Sequence, residues 1–405
     1  MKTPATTLSL SIALALAAPL AHGAVDIEQR LAELEAELAE MKADSADNVR
    51  RNPAGGFVVG NTTLRFSGYM KGDVSVSDRG YQGGKAWEVV TAAGVKSTDK
   101  DLGYRTTLSA RQSQFAFSTS TPVGENTFRT FVSVDFYGED TKANELVSNS
   151  YAPRLREAYG SYGRLLVGQT WSTFTDLMGV GELVGFGQHA SVNFVRQAMV
   201  RYTHPFDGGK LELAMENPED TGAGNQDVPD LIARLSFNGN WGYVSAAAAV
   251  RRMALDNATG RDYQWTDAYS LTARIPTVGK DDIRLQVNYG NVGRYMGLRS
   301  FPDAVVEQGG TSIHGVDAWG YSAIYRHFWT EKLRSSLAWS DSAIRERGRY
   351  AATANARYST ASLNLLYSPI RPLTYGIELQ RYDLEEVGGT KHELNRVQFS
   401  AWYHF

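Results

Sequence analysis

The chain has 405 residues with 39 Gly, 21 Tyr, 8 Trp and no Cys, and its formal net charge is -3. Beyond the N-terminus no run approaches the roughly 18 apolar residues that a membrane-spanning helix needs, which excludes a helical membrane protein. A hydrophobic content of 42% fits a soluble protein and equally a transmembrane barrel, in which only alternate residues meet lipid.

The basic residues are unevenly divided, because 30 of the 41 are Arg and 11 are Lys. Arginine keeps its charge in any surroundings and grips carboxylates with a bidentate fork. A codon bias of a GC-rich genome would produce the same excess of Arg over Lys. Whether the excess has a function therefore depends on where the arginines lie.

Residues 1–23 have the pattern of a secretory signal peptide. A Lys near the start precedes an apolar run at residues 8–20, and Ala21-His22-Gly23 forms a small-x-small cleavage site. The alternative is an uncleaved anchor. We exclude this segment from the fold.

Residues 24–42 predict a short periplasmic coiled coil. Apolar residues recur at 4-3-4-3 spacing while Glu side chains fill the outside, which is the pattern of an a/d seam. An isolated helix of this length is only marginally stable in water. The seam makes sense if a larger domain brings three copies of the helix together. A single helix folded onto its own barrel is the alternative. The seam residues are Ile27, Leu31, Leu34, Leu38 and Met41.

Residues 43–60 are rich in Asp, Asn and Gly and predict a flexible linker, whereas residues 61–405 contain only strand and turn patterns. The C-terminus shows the pattern most clearly. Val397, Phe399, Tyr403 and Phe405 lie on one face of a period-2 repeat, opposite Gln398 and other polar residues. Such segments predict an all-β fold, a transmembrane antiparallel β-barrel of about 16 strands. The longer polar stretches between them are expected to be outer loops, at residues 78–103, 139–152, 217–229, 254–264, 291–316 and 342–356.

A soluble β-sandwich would also alternate, but its inner faces would close an apolar core. Here the polar faces carry arginines that a packed core would not accept, and an arginine facing lipid costs about 2–4 kcal/mol near the midplane. The arginines therefore belong in a lumen, where they outnumber carboxylates such as Asp73, Asp135 and Glu378. An arginine-lined lumen concentrates anions. The arginines on the polar faces are Arg65, Arg129, Arg154, Arg156, Arg201, Arg234, Arg251, Arg274, Arg284, Arg326 and Arg334.

Residues 172–193 interrupt the strand pattern with a segment too apolar for water and too rich in Gly for a lipid-facing strand. Irregular backbone at membrane depth is tolerated only inside a cavity, so we expect this loop to fold into the lumen and narrow it. Phe174, Leu177, Met178 and Phe186 would then pack on the inner wall. Packing over the barrel mouth is the alternative. The residues selected for the constriction are Phe174, Asp176, Glu182, Phe186, His189 and Asn193.

Three segments, residues 154–160, 165–176 and 195–203, resemble the DcaP-like family of trimeric outer-membrane porins. Residues 115–122 and the coiled coil ahead of the barrel resemble it too. The resemblance implies a sixteen-stranded homotrimer with a periplasmic coiled coil that takes up small anions, including dicarboxylates. It also implies that Arg154, Arg156, Arg196 and Arg201 are pore arginines near the infolded loop. Glu157 departs from the expected non-acidic residue and would offset part of this charge.

Two other functions remain open at this stage. An outer-membrane hydrolase needs a nucleophile with an oriented His, and no His of the mature chain lies in such a motif. A structural protein could instead tether the envelope to the cell wall through the acidic coiled coil.

The expected partners are outer-membrane lipid and lipopolysaccharide, two further copies of the chain and small anionic solutes. The sequence shows no spacing for a metal site or a cofactor, and no phosphate-cradling loop that would indicate nucleotide or nucleic-acid binding.

Overall fold

The computed structural model describes residues 30–38, 49–51, 55–81, 89–138, 151–186, 189–218, 227–257, 260–306 and 312–405. The chain divides into two compact units, Met1–Thr63 and Leu64–Phe405. The predicted signal peptide and the seam residues Ile27 and Met41 lie outside the described residues.

In the first unit, residues 30–38 are helical. Leu31, Leu34 and Leu38 are 56%, 39% and 44% exposed, so the apolar stripe is not covered by the described residues. Arg30 Nη1 lies 2.7 Å from Glu33 Oε2, one turn along the helix. Within the predicted segment, residues 30–38 are therefore helical, and the three seam leucines among them are exposed.

The predicted linker, residues 43–60, contains a strand pair and is corrected to that extent. Val49–Arg51 and Phe57–Val59 pair antiparallel, with Val49 opposite Val59. Gly55 and Gly56 lie between these strands with φ of 94° and 88°, backbone conformations that favour glycine.

The second unit is a closed barrel of sixteen antiparallel strands, as the period-2 pattern predicts. Each strand pairs with its neighbours in sequence. The strands are β1 (Thr62–Ser77), β2 (two segments, Arg105–Ser109 and Gln114–Val123), β3 (Asn126–Asp135), β4 (Arg154–Tyr162), β5 (Leu165–Trp171), β6 (Arg196–Phe206), β7 (Gly209–Glu216), β8 (Asp230–Gly239), β9 (Gly242–Asn257), β10 (Gly260–Pro276), β11 (Asp282–Gly290), β12 (Ala318–Phe328), β13 (Leu333–Ile344), β14 (Asn355–Ile370), β15 (Leu373–Glu386) and β16 (Lys391–His404).

The barrel closes because β16 pairs back with β1, placing Phe399 opposite Val74 and Trp402 opposite Lys71. Closure leaves neither strand as a free edge, which is the condition for a sheet in lipid. Phe66 and Met70 on β1 point outward and are 62% and 50% exposed. Lys71 on the other face is 5% exposed, so the polar face is turned inward.

Connections between strands differ at the two ends of the barrel. One end, hereafter the turn end, carries turns of two to five residues such as 124–125 and 277–281. The other end carries longer connections, among them 78–104, 136–153 and 291–317. A long loop expected at residues 254–264 is wrong, because the β9–β10 hairpin extends to Asn257 and Gly260.

Several short elements lie at the end with the longer connections, hereafter the loop end. The helix Ala92–Lys96 is capped by Thr91, whose hydroxyl accepts a hydrogen bond from the Gly94 amide at 3.1 Å. No helix among the described residues is long and apolar enough to cross a membrane. The remaining elements are the strand pairs Gly80–Tyr81 with Thr98–Asp99 and Ala304–Val306 with Ile313–Gly315, and the 3-10 turns Lys100–Leu102, Leu177–Gly179 and Arg347–Arg349.

Candidate functional site: an arginine-rich lumen crossed by an infolded loop

Residues 172–195, hereafter the constriction loop, connect β5 to β6 and run along the inner wall of the barrel. At its start Arg234 Nη1 on β8 donates to the Thr175 carbonyl at 2.7 Å, and Tyr243 on β9 donates to Asp176 Oδ2 at 2.6 Å. On the far wall the amides of Val184 and Gly185 donate to Glu378 on β15 at 3.0 and 3.1 Å. The loop therefore packs on side chains that point into the barrel; that it narrows the lumen stays a prediction.

The returning half of the loop is fastened along the same wall. The Ser191 amide donates to Ser340 Oγ on β13 at 2.8 Å, and the Asn193 amide donates to Gln286 Oε1 on β11 at 2.8 Å. Asn193 Nδ2 also donates to Asn288 Oδ1 at 2.9 Å. Together with the contacts above, these hydrogen bonds attach the loop to strands between β8 and β15.

The six loop residues selected from sequence have two kinds of surroundings. Phe174, Asp176, His189 and Asn193 are buried, at most 4% exposed, and fasten the loop to its neighbours. Glu182 and Phe186 are partly exposed. The expectation that Leu177 packs on the wall is wrong, since 46% of it is exposed.

A second segment, residues 291–303, also folds inward and covers the constriction loop. The Phe194 amide donates to the Tyr295 carbonyl at 3.0 Å, and the Gly297 amide donates to the Val192 carbonyl at 3.1 Å. The rings of Phe174 and Tyr295 lie 4.5 Å apart. Sequence reasoning treated this segment as an outer loop and missed its packing.

Arg154 and Arg156 on β4 converge on one carboxylate of β3. Arg154 Nε and Nη2 donate to the two oxygens of Asp135 at 2.9 and 2.6 Å, and Arg156 Nη1 donates to Oδ2 at 2.7 Å. Asp135 is fully buried while the Arg154 side chain is 39% exposed. The pair therefore presents more positive than negative charge to the lumen.

A register shift in the β3–β4 ladder brings consecutive residues of β4 into this region. Ser133 pairs with Glu157 and Val134 with Leu155, so Arg156 is the extra residue of a bulge. Glu157 accepts a hydrogen bond from Thr170 at 2.7 Å, close to the arginines.

Arg196 completes the group and has weaker partners. Its guanidinium carbon lies 3.6 Å from the centroid of the Trp171 ring, a cation–π contact. Its Nε lies 3.9 Å from Glu157 Oε1. Its buried Nε and Nη2 make no hydrogen bond with the described residues.

Aromatic rings line this side of the lumen, and the tip of the constriction loop reaches them. Phe186 stacks on Tyr137 with ring centroids 4.6 Å apart, and the Arg154 guanidinium lies 5.7 Å from the Phe186 ring. Arg111, which sequence reasoning did not select, lies 5.1 Å from the Tyr137 ring. Arg111 lies between the two segments of β2, outside any regular alternation, so the face rule could not find it.

A second group of arginines lies near the turn end, on β10–β13. Asp282 accepts from Arg284 at 2.8 Å, from Arg274 at 3.2 Å and from Arg326. Arg334 Nε donates to Glu182 of the constriction loop at 2.9 Å. This group holds four arginines and two carboxylates.

Three other predicted arginines contact carboxylates inside the barrel; the side chain of one of them, Arg201, is 16% exposed, and Arg201 stays a predicted pore arginine. Arg234 pairs with Glu212 at 2.6 Å, and Arg201 lies 3.9 Å from the same carboxylate. The expectation that Arg251 lines the pore is wrong, because its side chain is 0% exposed and lies between Asp230 and Asp303.

Arg65 on β1 and Arg129 on β3 are exposed, and each lies on the face of its strand that points into the barrel. Taken with the two groups above, they bring nine arginines to the described lumen, beside the four carboxylates of those groups. No group of three or more His, Asp or Glu within the described ranges could hold a metal ion.

A family model described as a porin subfamily matches residues 53–401. No curated protein matches the chain.

Solved structures with the same fold include three outer-membrane proteins. The outer membrane channel DcaP of Acinetobacter baumannii is 20% identical, with a TM-score of 0.74 over 88% of this chain and 99% of that chain. An anion-selective porin from Comamonas acidovorans is 13% identical, with a TM-score of 0.56 over 85% of this chain and all of that chain. The trimer form of OmpT from Vibrio cholerae is 11% identical, with a TM-score of 0.57 over 85% of this chain and 99% of that chain. The resemblance to DcaP-like channels is thus confirmed at the level of fold.

Proposed function

The chain belongs to the porin subfamily, and from that premise we propose that it is a diffusion channel for small hydrophilic solutes that prefers anions, short dicarboxylates among them. Family and barrel fold indicate the outer membrane and favour a non-enzymatic channel over a hydrolase.

The observation that carries the proposal is the excess of arginine where the constriction loop meets the wall. The group on β4 and β6 contains three arginines (Arg154, Arg156 and Arg196) and two carboxylates (Asp135 and Glu157). The group near the turn end contains four arginines and two carboxylates. Charge of one sign in a cleft with low-dielectric walls raises the local concentration of the opposite ion. Such a lumen admits anions faster than cations.

The chemistry of the guanidinium group supports carboxylates as solutes. Its planar donors match two carboxylate oxygens at once, as Arg154 already shows with Asp135. The Arg196 side chain is 13% exposed and its Nε lies 3.9 Å from Glu157 Oε1, so its charge is only weakly paired and can attract a passing carboxylate. A solute with two carboxylates gains twice from such contacts.

Reversal potentials in planar bilayers under a salt gradient test the proposal. Arg196→Gln and Arg154→Gln should each lower the chloride-to-potassium permeability ratio, because each removes a lumenal cation. Arg164→Gln is the matched control, since Arg164 lies in a turn and bonds Tyr202 and His204 on exposed positions. An unchanged ratio in both lumenal variants contradicts anion preference.

We also propose the assembly and orientation that the resemblance implies. The helix at residues 30–38 would form a periplasmic three-stranded coiled coil under a homotrimer, with lipopolysaccharide around the loop end of the barrel. The trimer form of a solved structure with the same fold supports this arrangement. Contact between the coiled coil and the cell wall would be an additional role for the same segment.

A further inference from the structure

Glu182 is a carboxylate that the chain itself delivers to a pair of wall arginines. Arg334 Nε lies 2.9 Å from both carboxylate oxygens of Glu182, and Arg326 Nη1 lies 3.3 Å from Oε2. Two guanidiniums on neighbouring strands thus hold one carboxylate, the arrangement that suits a carboxylate ligand.

The wall half of this site is complete without the loop. Arg326 also bonds Asp282, and Arg334 Nη1 donates to Ser368 Oγ at 3.0 Å. With Glu182 removed, Arg274, Arg284 and Arg326 would still share the carboxylate of Asp282, and Arg334 would be left without a carboxylate partner among the described residues. The wall arginines therefore keep their positions and a net positive charge if Glu182 leaves.

Solutes in the lumen can reach the pair. The side chains of Glu182, Arg326 and Arg334 are 28%, 17% and 16% exposed, whereas the Arg251 side chain among its carboxylates is fully buried. Burial opposes ionisation of Glu182, but the hydrogen bonds and charges of Arg334 and Arg326 together outweigh it and lower the pKa of the carboxyl. The pair thus stabilises the charged form of a carboxylate in this position.

We propose that Arg326 and Arg334 form a second carboxylate-binding site near the turn end of the lumen, which Glu182 occupies in the resting channel and a permeating carboxylate takes over by displacing it. The inference rests on the proposed function in that the solute reaches the site through the lumen. Exchange of one carboxylate for another conserves the charge-assisted hydrogen bonds. Glu182 stays nearby because Asn364 Nδ2 donates to its carbonyl at 2.8 Å.

Succinate binding to the full-length protein in planar bilayers tests the site, with affinity obtained from current fluctuations. The Glu182→Gln variant should bind succinate roughly tenfold more tightly than wild type. In the variant, succinate no longer competes with the Glu182 carboxylate for the charge-assisted hydrogen bonds of the two arginines. Arg334→Gln should weaken binding. Equal affinity of wild type and Glu182→Gln overturns the proposal. Heat-modifiable migration in gels confirms that each variant is folded.

Two double variants separate a local site from the general field. Glu182→Gln with Arg334→Gln and Glu182→Gln with Arg129→Gln both have the net charge of wild type. Only the second keeps the arginine pair, so it alone should retain tighter succinate binding. Equal loss in both overturns the site. Reversal potentials in the same bilayers report anion preference independently, so failure of the proposed function is distinguishable.

Discussion

The lumenal arginines share one chemistry but differ in how far their charge is matched. Arg251 donates to Asp230 at 3.1 Å and to Asp303 at 2.9 Å, and its side chain is fully buried. Arg196 has one carboxylate at 3.9 Å and an aromatic ring instead. Arginines of the first kind hold loops in place, so the proposed anion preference would depend on those of the second kind.

His189 is a buried titratable residue on the constriction loop. Its Nδ1 lies 3.0 Å from Thr360 Oγ1, and its Nε2 lies 3.4 Å from Ser362 Oγ. Glu378 and Tyr382 are the other titratable groups around the same small void. Burial lowers the pKa of His189 to about 4. The loop therefore holds this imidazole neutral at pH 7.

Acidification should loosen the loop through His189. The pKa of His189 is about 4 in the packed loop, against an ordinary value of 6.5. The free energy that keeps the loop packed around the neutral imidazole is therefore fully present above pH 6.5 and is lost as pH falls toward 4. The loss amounts to roughly 3 kcal/mol. Transient closures in bilayer recordings should increase across this window. His189→Gln cannot titrate and should show less of this increase; an identical pH profile in the variant would exclude His189.

At the scale of elements, the constriction loop is positioned by hydrogen bonds at both ends and at its tip. The tip depends on Glu378, which is fully buried and also accepts from Asn364 Nδ2 at 3.0 Å. Gly185 permits the close approach, since a Cβ there would lie 2.4 Å from Gln380 Nε2. Phe186 follows directly, so this anchor sets where the loop crosses toward β3 and β4.

Glu378→Ala should release the tip of the loop. The amides of Val184 and Gly185 would lose their acceptor, at a cost of about 1–3 kcal/mol for each buried donor. Single-channel current noise should rise while the barrel stays folded. Glu386→Ala is the matched control, because Glu386 is a carboxylate of the same strand that bonds Lys96 and His392 instead of the loop. Equal noise in both variants would argue against the anchor.

The barrel could be predicted from sequence because alternation is a local signal enforced by lipid on one side and water on the other. The contacts of the loop could not, since Glu182 and Arg334 are 152 residues apart. The inward fold of residues 291–303 was missed for the same reason, because it involves contact between Tyr295 and Phe174, which are far apart in the sequence. The bulge that brings Arg156 and Glu157 together likewise leaves no period-2 signature.

At the scale of the whole molecule, the family accounts for the barrel, but the helix ahead of it needs its own explanation. Leu31, Leu34 and Leu38 repeat at the 3-4 spacing of a coiled-coil seam and are exposed in the single chain. A helix this short is marginal in water by itself. Burial of the three leucines against two further copies would stabilise both the helix and the trimer.

Leu34→Ala should therefore destabilise the proposed trimer, by about 2–3 kcal/mol per chain if the side chain leaves a packed seam. The measurement is the temperature at which trimers dissociate to folded monomers in semi-native gels, and conductance per barrel should stay unchanged. Glu35→Ala is the control, since Glu35 lies outside the seam on the same helix. Deletion of residues 24–42 should lower the melting temperature further. If deletion leaves trimer melting unchanged but weakens the cell envelope, the segment tethers the membrane to the cell wall, because only that role acts through an external partner.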